Sequence, residues 1–194
     1  MSALTKKKKY TPEEYLALEE KAEFRSEYDN GEITAMSGGS LNHARVIGNI
    51  NRAFGAKIDE NCESVTTDVK VQVENYRKFY YPDVLIICGK PAFYEKRNDT
   101  ITNPVLIVEV LSDSTEAKDR GEKMLAYRTL DSLQEYVLVS QSRPIVEQYT
   151  KTADGNWIHR ATIGLRSVVR FESVAIELNL EEIYQRVEFE EENL

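Results

Sequence analysis

Two acidic residues and one lysine carry the chemistry this chain suggests. Asp83 follows a proline in Tyr80-Tyr81-Pro82-Asp83-Val84-Leu85-Ile86-Ile87-Cys88, and Glu109 interrupts the run Pro104-Val105-Leu106-Ile107-Val108-Glu109-Val110-Leu111. Both runs are short, continuous and apolar, the pattern of strands covered on both faces. A carboxylate placed there is costly unless it is paired, hydrogen-bonded or bound to a cation. Two such acids on neighbouring strands can grip a divalent ion, and oxygen donors favour Mg2+ or Mn2+ over zinc. An ion of that kind lowers the pKa of a water and stabilises charge on a phosphoryl oxygen. Lys123 shares a helical stripe with Tyr127 and Leu130, so it is expected to face the sheet carrying Glu109. There its ammonium would orient the attacking water and offset developing charge. The bland alternatives are that Lys123 snorkels to water, that Glu109 closes a bridge with an arginine, and that Asp83 caps a turn.

The elements that must position these residues follow from local pattern. Thr11-Pro12-Glu13-Glu14 reads as a helix start, with Tyr15, Leu16 and Leu18 on its apolar side. Residues 24–36 read as a β-hairpin turning at Asn30-Gly31, with Arg25 and Glu27 on one face. Gly38-Gly39-Ser40 leads into a helix with Ile47, Ile50, Phe54 and Ile58 at helical spacing and His43 one turn earlier on the same stripe. Residues 65–73 alternate cleanly and are expected to form one strand pairing with the Asp83 strand. A polar connection, 89–103, precedes the Glu109 strand, and the Lys123 helix is expected over about 119–130. Residues 135–139 form a further strand. A hairpin follows around Asp154-Gly155, then a strand within 168–178 and a closing helix over 180–186. This order gives α/β with a mixed sheet.

The 194 residues suit one domain, placed at 10–186 between a basic tail (1–9) and an acidic tail (187–194). At 41% hydrophobic and 30% charged the chain reads as globular. No apolar stretch approaches the ~20 residues needed to cross a bilayer. The basic start has no apolar segment after it, so a cytoplasmic location is expected. Cys62 and Cys88 are read as neither a zinc site nor a disulfide framework. The net charge of −8 looks hostile to nucleic acid. Six glutamates against Arg186 within residues 181–192 account for most of it, so a polyanionic partner stays open.

Tyr81-Pro82-Asp83, then Val108-Glu109-Val110-Leu111-Ser112, then Asp119-Arg120-Gly121-Glu122-Lys123 with Tyr127, resemble the Uma-two family. These are restriction-endonuclease-like proteins of the PD-(D/E)XK nuclease superfamily. The resemblance extends to Ser26-Glu27-Tyr28, Gly31-Glu32-Ile33, Asn42-His43, Ser132 to Tyr136, and Trp157, nearly the whole chain. It implies an αβββαβ core around a central mixed β-sheet flanked by helices. It also implies that Asp83 and Glu109 are metal ligands with the carbonyl of Val110 as a third, and that Glu27 belongs to the site. Asp68 is a further candidate, and His43 a substrate or phosphate contact. Leu111 stands where the superfamily pattern places its lysine, and the resemblance implies Lys123, on the following helix, as the relocated equivalent. The function expected is a Mg2+-dependent (or Mn2+-dependent) endonuclease acting on DNA, working as a homo-oligomer, most simply a dimer. One alternative is a binding or scaffold module that keeps the fold without turnover; another is a carboxylate-pair hydrolase for a small substrate.

Overall fold

A computed structural model describes residues 8–66 and 68–189. Most of the basic tail, residues 190–194 and Thr67 lie outside them. Helix α1 (Pro12–Glu19) begins with a reciprocal cap: Thr11 Oγ1 accepts the Glu14 amide at 3.2 Å, and Glu14 accepts the Thr11 amide at 2.8 Å. Two of the donors left open at a helix start are thereby satisfied. Tyr15 and Leu16 turn inward, whereas Leu18 is exposed. Two residues along a helix is over half a turn, so Leu18 cannot share the Leu16 face.

Asn30 and Gly31, both at positive φ (42° and 102°), join β1 (Ser26–Asp29) to β2 (Glu32–Ala35) in a two-residue turn. Ser40 then caps α2 (Leu41–Lys57) by accepting the His43 amide at 3.0 Å, and Val46, Ile50, Ala53 and Phe54 of that helix are buried.

The stretch expected as one strand is two, β3 (Cys62–Thr66) and β4 (Lys70–Val73), broken beside Asp68 at φ 48°. The returning chain breaks as well: β5 (Lys78–Tyr80) ends, Tyr81-Pro82-Asp83 passes between sheets, and β6 (Val84–Cys88) begins. Consequently β4 pairs with β5 in one sheet while β3 pairs with β6 in another. Cys62 and Cys88 face each other in the β3–β6 register, 4.0 Å apart at Cα, and form a disulfide. This corrects the expectation of two unrelated cysteines.

Next come β7 (Thr100–Ile101) inside the polar connection and β8 (Leu106–Leu111). A helical segment follows in three pieces: α3 (Glu116–Lys118), a π-helical turn (Asp119–Lys123) and α4 (Met124–Tyr127). The chain closes with β9 (Glu135–Ser140), β10 (Ile145–Lys151), β11 (Trp157–Ile163), β12 (Val168–Phe171), β13 (Ile176–Asn179) and α5 (Leu180–Ile183). The single last strand expected is thus a small hairpin, β12–β13, in its own sheet.

The central sheet runs β11-β10-β9-β8-β6-β3, with β8 and β9 parallel and the other pairs antiparallel. Taken in chain order, α2, β3, β6, β8, the α3–α4 segment and β9 give the αβββαβ core. Strand alternation divides its side chains between two layers. Val84, Ile86, Val108 and Val110 pack toward α2, whereas Leu85, Ile87, Ile107 and Leu111 pack toward α4. Glu109 therefore belongs to the α4 layer. The second sheet, β2-β1-β5-β4-β7, adjoins the same layer. Val187 and Phe189 pack against the α2-side core, so ordered packing continues beyond residue 186. Among the described residues no helix is long and apolar enough to cross a membrane.

Candidate active site

Asp83 owes its position to the place where β6 starts late. The β6–β8 ladder ends at Val84 opposite Val108, and the next amide needing a partner, that of Val110, donates to Asp83 Oδ2 at 2.7 Å. Pro82 has no amide hydrogen and cannot extend the ladder. A side chain completes what the strand leaves open. On the α2 side, His43 Nε2 lies 3.1 Å from the Val110 carbonyl oxygen and 3.4 Å from Asp83 Oδ2. Burial pulls the imidazole toward its neutral form, but the Asp83 carboxylate and the Val110 carbonyl outweigh it, and the His43 pKa is raised.

On the other face, Lys123 reaches three carboxylates at once. Its Nζ is 2.9 Å from Glu27 Oε1, 3.1 Å from Glu109 Oε1 and 3.3 Å from Asp119 Oδ1. The Tyr127 hydroxyl donates to Glu109 Oε1 at 3.3 Å, and Lys118 donates to Glu27 Oε2 at 2.7 Å. Both ammonium groups lie over the Tyr80 ring, 5.3 and 5.6 Å from its centroid, close enough for the ring face to attract them. The π-helical turn spans Asp119 to Lys123, and the Asp119 carbonyl accepts the Tyr136 hydroxyl at 2.9 Å. Such widened turns recur at functional sites.

The charges are tightly coupled. Burial drives the Glu109 pKa well above the usual carboxylate value; Lys123 opposes this, and the neighbouring acids reinforce it. Burial likewise raises Asp119. For Glu27 burial is again the largest influence, yet Lys123 and Lys118 overcome it and hold the acid below its usual value. Lys123 is pushed down by burial and up by Glu109, Glu27 and Asp119; the acids win, so it stays an ammonium ion.

Asp83, Glu109, Lys123, Glu27, His43 and Val110 all line one cleft of about 210 Å3, walled by residues 34–39 and by Ser112, Ser114 and Thr115. Asp68 does not: it is exposed, and its carboxylate pairs with Arg25 at 3.1 Å. Two residues given no role from sequence join the cleft, Lys118 and Asp119. The four-residue spacing of Asp119 and Lys123 is a signal for the second; nothing in the sequence singles out the first.

The donors fit a small hard cation: two carboxylates and a main-chain carbonyl, all oxygen. Among the described residues no three His, Cys, Asp or Glu side chains group to hold a metal by themselves. Glu27, Asp83, Glu109 and Asp119 outnumber Lys118 and Lys123 in the cleft. Glu27 Oε1 and Asp119 Oδ1 are both buried and face the Lys123 ammonium at 2.9 and 3.3 Å.

A central mixed sheet between helices, with Asp83 and Glu109 on adjoining segments and Lys123 on the following helix, defines a mixed α/β protein with a buried acid–lysine site. The chain belongs to the Uma2 family, described as "Putative restriction endonuclease", whose model matches residues 12–189. Two proteins of Synechocystis sp. are similar. The uncharacterized protein sll1609 is 36% identical, over 86% of this chain and 94% of its own length. The uncharacterized protein slr1290 is 40% identical, over 77% and 78%. A crystal structure from Anabaena variabilis, titled as a putative nuclease belonging to DUF820, superposes with a TM-score of 0.73 at 16% identity, covering 90% of this chain and 97% of that one. That likeness is one of fold.

Proposed function

We propose that this protein is a Mg2+-dependent (or Mn2+-dependent) endonuclease that hydrolyses phosphodiester bonds in DNA. The observation that carries the reading is the meeting of Asp83, Glu109 and Lys123, from the segment before β6, from β8 and from the next helix, at one solvent-facing cleft. Asp83, Glu109 and the Val110 carbonyl would hold the ion, which when bound supplies an acidified water and charge stabilisation at the phosphoryl oxygen. Lys123 cannot act as a base, because its neighbours keep it protonated. It donates instead, orienting the water and offsetting negative charge on the phosphate. Glu27, held ionised by two lysines, fixes the direction of that ammonium. Tyr127 does the same for Glu109. His43, bonded to both Asp83 and Val110, keeps the two donors in register.

Purified protein with Mn2+ and a DNA plasmid provides the test. Cleavage that is lost with EDTA and in both Asp83→Ala and Glu109→Ala supports the reading. Cleavage surviving both substitutions refutes it.

One observation favours the scaffold alternative: Lys123 already closes on the carboxylates, as a structural ion cluster would. Thermal stability separates the two readings, because a cation site gains stability with Mn2+ and a closed cluster does not.

A further inference from the structure

We infer that Lys118, with the hydroxyls of Ser112 and Ser114, forms a phosphate subsite at the mouth of the cleft that takes the sugar–phosphate backbone of the substrate. This rests on the nuclease reading above. A cleft with more acids than bases repels a polyanion unless some cation in it is reachable. Lys123 is not: only 7% of its side chain is exposed, and three carboxylates share it. Lys118 is 29% exposed and is held by one carboxylate, Glu27 Oε2 at 2.7 Å.

When Lys118 turns to a phosphate, Glu27 keeps its contact with Lys123 at 2.9 Å. The Tyr80 ring, 5.3 Å from the Lys118 ammonium, gives that group a second, non-ionic support. The hydroxyls complete the subsite. Ser112 Oγ sits 3.1 Å from Ser114 Oγ and 3.0 Å from Thr115 Oγ1, and all three residues line the same cleft. Hydroxyl hydrogens rotate freely and can turn from one another to a phosphate oxygen. The stretch after β8, through α3, thus brings one ammonium and two hydroxyls to the same cleft. Backbone phosphate, rather than a base edge, is the partner these donors fit.

The test is equilibrium binding of a fluorescently labelled DNA duplex by fluorescence anisotropy. Ca2+ replaces Mg2+, salt is varied between roughly 50 and 200 mM, and single-turnover cleavage with Mg2+ runs in parallel. Lys118→Met should weaken binding roughly tenfold and lower the salt slope by about one. Lys118→Arg, which keeps the charge, should restore most of the affinity. Lys123→Met should lower the single-turnover rate at saturating DNA. Acetylation footprinting of the wild type reads the same contact without a substitution: bound duplex should protect Lys118.

Unchanged affinity and salt slope in Lys118→Met, or Lys118 acetylated equally with and without duplex, overturns the subsite and leaves the nuclease reading standing. A wild type that neither binds nor cuts DNA overturns both.

Discussion

Replacing Lys123 by methionine removes the ammonium that Glu27, Glu109 and Asp119 share at 2.9, 3.1 and 3.3 Å. Breaking a buried ion pair by deleting one partner costs about 3–5 kcal/mol, because the remaining charge is left without compensation. Two features reduce the loss. Lys118 still holds Glu27, and the Tyr127 hydroxyl still donates to Glu109. The lower end, about 3 kcal/mol, is therefore expected, equivalent to a fall of about 6–12 °C in Tm for a domain of this size.

The loss should depend on pH. Without the ammonium the buried acids hold protons more tightly in the folded than in the unfolded state, so the variant gains stability as pH falls. The gap to wild type is widest near neutral pH and narrows toward about pH 5. Adding Glu109→Gln to Lys123→Met removes one stranded charge and should recover part of the loss. Trp157, the only tryptophan, packs against the α4-side core and reports unfolding in urea. A loss under about 1 kcal/mol with no dependence on pH would mean that Lys123 behaves as a solvated surface ion, and the reasoning would fail.

Three other perturbations probe the surroundings. Arg97 first, then Lys70, hold the Asp99 carboxyl well below its usual pKa, so its stabilising effect is present above about pH 4 and is lost as pH falls further. Asp99→Asn should destabilise at neutral pH, where Lys70 is buried beside it, and the difference should close in acid titrations followed by circular dichroism. A Cβ at Gly39 would meet His43 Nδ1 at 2.8 Å, so Gly39→Ala should displace the ring from Val110 and Asp83. NMR titration should then find the His43 pKa lowered from its wild-type value; an unchanged value contradicts the contact. Reducing the Cys62–Cys88 disulfide should cost about 3 kcal/mol from loop closure. An unreduced sample whose two cysteines are both alkylated would show that the bridge is absent.

Much of the fold was legible because local signals were strong: the Thr11–Glu14 cap, the Asn30-Gly31 turn and the apolar runs around Asp83 and Glu109. The break between β3 and β4 was not. Valines alternate through residues 65–73 although two sheets divide them, and the positive φ at Asp68 leaves no mark on a periodicity argument. That break also explains why Asp68, expected on a strand beside the site, ends exposed against Arg25. The disulfide needed register: Cys62 and Cys88 are 26 apart in sequence and become neighbours only when β3 and β6 pair. The helical stripe of Lys123 and Tyr127 correctly suggested that the lysine faces the Glu109 layer. The π-helical turn was invisible, although the four-residue spacing from Asp119 to Lys123 marked the acid. Nothing in the sequence marked Lys118, because its partner, Glu27, lies 91 residues away on the second sheet.

Anomalous diffraction from a Mn2+-soaked crystal tests the central claim most directly. The expected result is one peak in contact with the Asp83 carboxylate, the Glu109 carboxylate and the Val110 carbonyl oxygen. A crystal at saturating Mn2+ with no peak there, and Lys123 still closed on Glu109, would contradict it.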